Sequence, residues 1–522
     1  MDLVGNRNVP KLLEHTVRTY PDKVFLCYED QAITYAQLDA LVNRAANAFL
    51  GLGIRKGDHV AVHLPNCPEW LYAVFGLHKI GAVAVTSNTQ YKGDELRHLL
   101  IDSDSKIIVT EPAFLGMVRE IRPLCTLLTA VVLARTDEIP SDVLSFNKLL
   151  AAASPDRAAA AIAPDDPATV LYTSGTTARP KGVIYSHGNH VFAGYYTAGL
   201  VRLGPDDRIM CFLPLYHLNG MSMQLFPVVA VGAGLALVEE FKASLFSELV
   251  YRYKPTVTSV TSQVVKAIVA VPERPEDRES TLRVTFHGLS LDDASWDEFE
   301  RRFGCVILEE YGQTEALTIP LFNPIDGPQK RRCAGIPGLG YELKIVDEQG
   351  NEVAPGTIGE LIVRCYTRHG LSHGYYKNPE ATAEVFRDGW LYTNDYVRMD
   401  EEGYFYFADR KKDMIKRSGE NVAASEVERV LGEHPAVAEA VVIGVPDPFR
   451  DEAVKALVIL RPALAATVEE LREHCRRYLA DYKVPQFVEF RADFPRNFLG
   501  KVEKKTLRQW ERERYEAASR QA

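Results

Sequence analysis

The run Leu171-Tyr-Thr-Ser-Gly-Thr-Thr-Ala-Arg-Pro-Lys-Gly182 gathers groups suited to holding phosphate. Thr173, Ser174, Thr176 and Thr177 offer hydroxyls, Gly175 permits unusual backbone angles, and Lys181 brings a cation. The preceding Ala168 to Tyr172 leans apolar and predicts a strand, so a donor-rich loop would leave the end of a sheet. This is not the common nucleotide loop, because Gly182 stands where a magnesium-binding Ser or Thr would follow the lysine. On composition alone, a polar surface loop is the competing reading.

Further polar groups fall where a chain should leave a sheet. In Glu309-Glu-Tyr-Gly-Gln-Thr-Glu315, Tyr311 offers a stacking face, Gly312 a close backbone approach, Thr314 a hydroxyl for phosphate and Glu315 a carboxylate for Mg2+. A plain turn would also account for the segment. His217 ends the apolar Leu213-Pro-Leu-Tyr-His217 and is either a satisfied core histidine or, with Tyr216, a cavity wall at a strand end. Tyr195 and Tyr196 could join that wall around a compact or cationic acid, or be ordinary core. Asp395 could accept both hydrogen bonds of a ribose diol, and the planar fork of Arg410 could bridge diol and phosphate. Lys501 follows Gly500 near the C-terminus, and alone it is one of 60 basic residues.

The elements that must position these groups follow from hydrophobic spacing. Apolar residues at 38, 41, 45, 48, 49 and 52 predict a one-faced helix over Tyr35 to Leu52. Strands over Val60–Leu64, Ala82–Thr86 and Ser105–Thr110 alternate with helices over Trp70–Ile80 and Asp94–Asp102. The alternation recurs from Leu235 to Glu309 and indicates parallel sheets covered by helices. Beyond Gly335 short strands and turns take over. After the polar Asp409 to Asp413, the remaining hundred or so residues suffice for a small α+β domain.

A chain of 522 residues exceeds one ordinary core. A net charge of −10 argues against nucleic acid as partner, and requires local cations or a metal wherever a polyphosphate binds. Eight cysteines without a CxxC pair suggest reduced thiols, hence a cytoplasmic protein. The N-terminus does not read as a signal peptide. The apolar run Leu225 to Leu237, broken by Pro227, Gly232 and Gly234, is too short to cross a bilayer, so no stable membrane insertion is expected.

Taken together and in this order, the motifs resemble the adenylate-forming (ANL) superfamily of acyl-CoA synthetases, peptide-synthetase adenylation domains and firefly-type luciferases. The resemblance runs from Ile33-Thr-Tyr35 to Gly500-Lys501 and includes residues 173–182, 213–217, 311–315, Tyr392-Thr-Asn-Asp395, Asp409-Arg410 and Ile415-Lys-Arg-Ser-Gly-Glu-Asn421. Within it the chain is most similar to bacterial crotonobetaine/carnitine-CoA ligases. The resemblance implies an α/β and α+β architecture. A large N-terminal domain (1–411) would hold two layered α/β sheets and a distorted β-barrel, and a small mobile α+β domain (412–522) would turn at a hinge matching Lys412. It implies that Thr173, Ser174, Gly175, Thr176, Thr177 and Lys181 form the triphosphate loop and that Tyr311 stacks on adenine. Thr314 would touch the α-phosphate, Glu315 would hold Mg2+, and Asp395 and Arg410 would bind ribose. Gly288 would flank adenine and acyl group, and His217 would border the acyl pocket. Lys501 would reach the substrate carboxylate and α-phosphate. Asn394, Ala424, Asp451 and Asn497 depart from the common pattern.

The activity so implied is a two-step ligation of a short- to medium-chain or carnitine-like carboxylic acid. ATP and CoA would be co-substrates and Mg2+ the cofactor, with a homodimer left open. CoA is preferred as acceptor because no carrier domain follows the C-terminal domain. The rival readings are an adenylation enzyme loading a separate carrier-protein thiol and a nucleotide-binding regulator that does not ligate.

Overall fold

The computed structural model describes residues 3–158, 160–173, 180–288, 291–411, 413–417, 420–447, 451–496 and 502–519. Among them the strands form sheets of nine, seven, five and five members. The first predicted helix is present as Tyr35–Gly51. Thr34 caps it by accepting from Gln37 N–H, and the Gln37 side chain returns a bond to Thr34 N–H.

The seven-stranded sheet runs Leu144–Ser145, Ala130–Leu133, Ile107–Thr110, His59–Val62, Val83–Thr86, Pro167–Thr173, Lys181–Ser186 across its width. All neighbours are parallel except the last pair, an antiparallel hairpin. Ala61, Val85, Ile108, Val131 and Val170 from five strands pack on Leu96, Leu99 and Val118 of two helices, which is why these strands read as continuous apolar runs.

The nine-stranded sheet places Val306–Tyr311, Val284–Gly288, Val257–Thr261, Arg208–Cys211, Gly234–Leu237 and Val24–Tyr28 side by side in parallel. Short antiparallel strands close both ends. The apolar run 225–237 divides into the helix Phe226–Val231 and the strand Gly234–Leu237. Between them Gly232 takes φ 75°, and a Cβ there would meet the Tyr20 ring. No helix among the described residues is long and apolar enough to cross a membrane.

The third sheet, at the place of the expected distorted barrel, is a curled half-barrel. It is ordered Tyr341–Val346, Gly359–Cys365, Trp390–Met399, Phe386–Arg387, with Phe405–Arg410 on Trp390–Met399. The fourth sheet, ordered Glu420–Ala423, Met414–Arg417, Asp451–Leu460, Val437–Asp447 with Phe487–Phe490 on Asp451–Leu460, is covered by the helices Ala424–Gly432 and Val468–Tyr478. The chain folds into two compact units, residues 1–343 with 362–392 and 403–405, and residues 344–361 with 393–402 and 406–522. All eight cysteines are free thiols.

Candidate active site

Thr173 and Lys181 are direct cross-strand partners at the loop end of the hairpin Pro167–Thr173/Lys181–Ser186. Ser174, Gly175, Thr176 and Thr177 lie outside the described residues. Gly182 is required here, since a Cβ would sit 2.5 Å from Val170 Cγ1. The segment 374–376 is laid along the hairpin's outer strand: Ile184 N–H donates to Gly374 O at 2.9 Å and Tyr376 N–H to Gly182 O at 2.7 Å. That pairing brings the Tyr375 ring to 5.0 Å from Lys181 Nζ, within reach of a cation–π contact.

Tyr375 also reaches the second motif. Its hydroxyl donates to Glu315 Oε1 at 2.6 Å. Burial, and then the Glu315 charge, push the phenol well above its ordinary pKa, so it remains a donor at any physiological pH. Thr314 opens the short 3-10 turn Thr314–Ala316, and its carbonyl accepts from the Tyr185 hydroxyl at 2.7 Å. Ser372 N–H donates to Glu315 O at 3.1 Å. Gly312 does permit the expected close approach, for its Cβ would lie 2.7 Å from Thr318 O. Lys181 and Glu315, 134 positions apart in the sequence, are thus tied to one tyrosine. Sequence reasoning missed Tyr375, whose role appears only through this long-range pairing.

Tyr311 is buried at the end of Val306–Tyr311, and Gly288 is exposed at the end of the neighbouring strand. His217 is half-buried and stands 4.8 Å from the Tyr216 ring, centroid to centroid. Immediately after it the chain forms a π-helical turn, Asn219–Leu225, where a Cβ on Gly220 would collide with Pro214 O at 2.3 Å. The four-residue aromatic wall is not formed. The Tyr196 hydroxyl donates to Ile319 O at 2.7 Å and its ring stacks on Phe192, because the buried helix His187–Leu200 turns it into the core. Tyr195 carries the Arg7 guanidinium over its ring instead. Tyr216 and His217 alone of the four stay together.

In the smaller unit Asp395 and Arg410 lie on adjacent strands, with Arg410 Nε 3.6 Å from Asp395 Oδ1. Asp395 is buried while Arg410 is half-exposed, so the guanidinium can turn toward a ligand. Asn394 occupies the left-handed region at φ 57°, with its N–H bound to Glu360 Oε1 at 3.1 Å and its carbonyl to Lys411 N–H at 2.9 Å. Asparagine is among the few side chains that tolerate this conformation, so the departure from glycine preserves the turn. Asp409 accepts from Arg410 N–H at 2.7 Å and Ser425 N–H at 3.0 Å. Burial pushes its carboxyl up, opposed by the charge of Lys504. Ala424 is the first residue of its helix, the position where proline is favoured. Lys412, Asn497 and Lys501 lie outside the described residues.

Glu315 is a fitting partner for Mg2+. Tyr375 occupies one oxygen, and a single carboxylate is what a magnesium ion shared with a nucleotide's phosphates needs.

The AMP-binding enzyme family matches residues 13–376 and the AMP-binding enzyme C-terminal domain matches residues 426–501. A crotonobetaine/carnitine–CoA ligase of Salmonella enteritidis is 38% identical over 518 residues, covering 97% of this chain and all of that protein. Among solved structures, the anthranilate CoA ligase AuaEII with anthranoyl-AMP superposes with a TM-score of 0.89 at 30% identity, covering 97% and 98% of the two chains. ATP-bound MatB from Rhodopseudomonas palustris gives 0.86 at 28%, covering 96% and 99%. The chain therefore belongs to the AMP-binding enzyme family, as an AMP-forming acyl-CoA synthetase that uses ATP to activate a carboxylic acid for transfer to CoA.

Proposed function

We propose that the acid is compact, carnitine-like or of short to medium chain. The kinship along the whole chain with crotonobetaine/carnitine–CoA ligases carries this reading. In the first step the acid's carboxylate attacks the α-phosphorus of ATP, forming the acyl-adenylate as pyrophosphate leaves. In the second, a CoA thiol attacks the acyl carbon and AMP leaves. Thr173, Lys181 and the hydroxyls of Ser174, Thr176 and Thr177 hold the departing pyrophosphate. Thr314 contacts the α-phosphate, Tyr311 stacks on adenine beside Gly288, and Asp395 with Arg410 holds the ribose. Glu315, fixed by Tyr375, would hold Mg2+, which when bound neutralises phosphate charge.

Lys501 neutralises the charge that carboxylate and α-phosphate share as they approach, so this step uses geometry and electrostatics without a covalent enzyme intermediate. His217 borders the path of the thiol. In this reading the domains meet at 411/412 and rotation about Lys412 withdraws Lys501 before the thiol enters. The reading also places the enzyme in the cytoplasm, detached from membranes, and light scattering would decide whether it forms a homodimer.

A panel of short fatty, aryl and betaine acids, read by AMP release and thioester mass, tests the assignment. Thioester formation with a betaine or short acid is expected. Turnover confined to aryl acids, or transfer only to a protein thiol, would contradict it.

A further inference from the structure

Glu310 has no part in the mechanism above, yet it is a buried carboxyl at the carboxyl end of Val306–Tyr311, the last of the parallel strands. Register fixes where it points. Thr261, Gly288 and Glu310 are lateral partners on three adjacent strands, as are Ser259, Phe286 and Leu308 two residues earlier. These six share one face of the sheet, while Glu309 belongs to the other. There Glu309 accepts from Cys333 N–H at 2.9 Å.

Glu310 is 5% exposed, and its Oε2 has no hydrogen-bond partner among the described residues. No cation pairs with it there either. Two glycines flank it: a Cβ on Gly288 would lie 3.5 Å from Oε1 and one on Gly312 3.5 Å from Oε2, both at ordinary van der Waals contact. Thr261 and Gly288 beside it are exposed, so the face opens outward at that end.

The same face is continuous with the turn that follows His217. Asn219 Nδ2 donates to Ser259 Oγ at 2.9 Å, and Gln224 Nε2 donates to Asn219 Oδ1 at 2.8 Å. This chain of donors leaves Gln224 Oε1 buried without a partner among the described residues. Two buried acceptors, one of them a carboxylate, border the segment assigned to the acyl group. Such groups are destabilising in a folded chain unless something supplies the donor or the charge. Burial alone has pushed the Glu310 carboxyl up to about 8.

We propose that Glu310 determines acid specificity by pairing with a cationic nitrogen at the far end of the substrate, so that the enzyme's acid is an ammonium-bearing carboxylic acid. The proposal rests on the acyl-CoA ligase reading and narrows its substrate class. The substrate carboxylate goes to the nucleotide, and the onium group goes to the floor of the pocket beside Gly288. A quaternary and a protonated primary amine share the required charge; the primary amine also supplies the N–H that the orphaned oxygens lack.

The test compares two isosteric pairs, γ-butyrobetaine against its tert-butyl carbon analogue and γ-aminobutyrate against valerate. Each is assayed by pyrophosphate exchange and by thioester formation with the full chain and with Glu310→Gln. The wild type should favour the onium member of at least one pair by about tenfold or more in kcat/KM. Glu310→Gln should lower that member about 10- to 100-fold and leave the carbon analogue within about threefold. Glu310→Asp should keep the onium preference, which guards against a Gln variant that merely misfolds. Whichever pair responds identifies the amine class. Turnover of neutral acids with no onium preference, or equal loss for both members in Glu310→Gln with no preference in Glu310→Asp, would overturn the proposal while leaving the ligase reading intact. Absence of pyrophosphate exchange with every acid would remove both.

Discussion

Replacing Tyr375 by Phe removes one oxygen and tests whether Glu315 is held for catalysis. The lost interaction is the 2.6 Å hydrogen bond to Glu315 Oε1. A hydrogen bond to a charged group contributes about 1.5–3 kcal/mol, and a half-exposed pair belongs near the lower end. The Phe ring retains the Lys181 contact at 5.0 Å, so that contribution cancels in the comparison. About 1.5–2 kcal/mol converts to a loss of about 10- to 30-fold in adenylation, with a higher Mg2+ requirement. Tyr375→Ala also removes the cation–π contact, about 0.5–1 kcal/mol more, or about another two- to fivefold. ATP–pyrophosphate exchange measured across a Mg2+ titration reads the first half-reaction, and thioester formation from supplied acyl-adenylate reads the second. A Phe variant that exchanges at the wild-type rate, or that loses both half-reactions equally, would refute the coupling of Tyr375 to Glu315.

Asn394→Ala places a Cβ residue without a compensating side chain at φ 57° and should destabilise the fold by about 1 kcal/mol, whereas Asn394→Gly should be near neutral; thermal unfolding of both variants checks this. Because folding raises the Glu310 carboxyl from 4.5 to about 8, its contribution is fully present at low pH and is lost as pH rises toward 8. The Tm of wild type should therefore fall relative to Glu310→Gln between about pH 5 and 8, and a Tm difference independent of pH would contradict the burial argument. Lys412→Pro should spare pyrophosphate exchange and chiefly slow thioester formation from supplied adenylate; unchanged thioesterification would count against a hinge at this residue.

Much of the fold was legible because its strands are buried on both faces or its helices on one. Val83–Thr86, Ile107–Thr110 and Val257–Thr261 carry the β-branched runs expected of covered parallel strands. The helix His187–Leu200 was not legible, since it is buried nearly all round and its His, Asn and Gly residues give no stripe. Nor was the hairpin Val24–Tyr28/Gln31–Thr34, whose outer strand is short and largely exposed at the sheet edge.

The candidate site could be read from residue types and not from geometry. Residue types marked Lys181, Glu315, Asp395 and Arg410, because phosphate, metal and ribose need those groups. No local pattern links Tyr375 to Glu315, 60 positions away; only the pairing of 374–376 with the hairpin does so. Glu309 and Glu310 look alike in sequence, and register alone sends one to a backbone donor and leaves the other buried, its Oε2 without a partner among the described residues. The aromatic wall failed for the opposite reason. Adjacent Tyr195 and Tyr196 sit on a helix, where neighbouring side chains point in different directions.

The central claim, adenylation assisted by Lys501 followed by transfer to CoA, is tested most directly by assaying Lys501→Ala in the two half-reactions separately. ATP–pyrophosphate exchange should be abolished, while conversion of supplied acyl-adenylate and CoA to thioester should be largely preserved. Equal loss in both half-reactions, or exchange at the wild-type rate, would contradict the account.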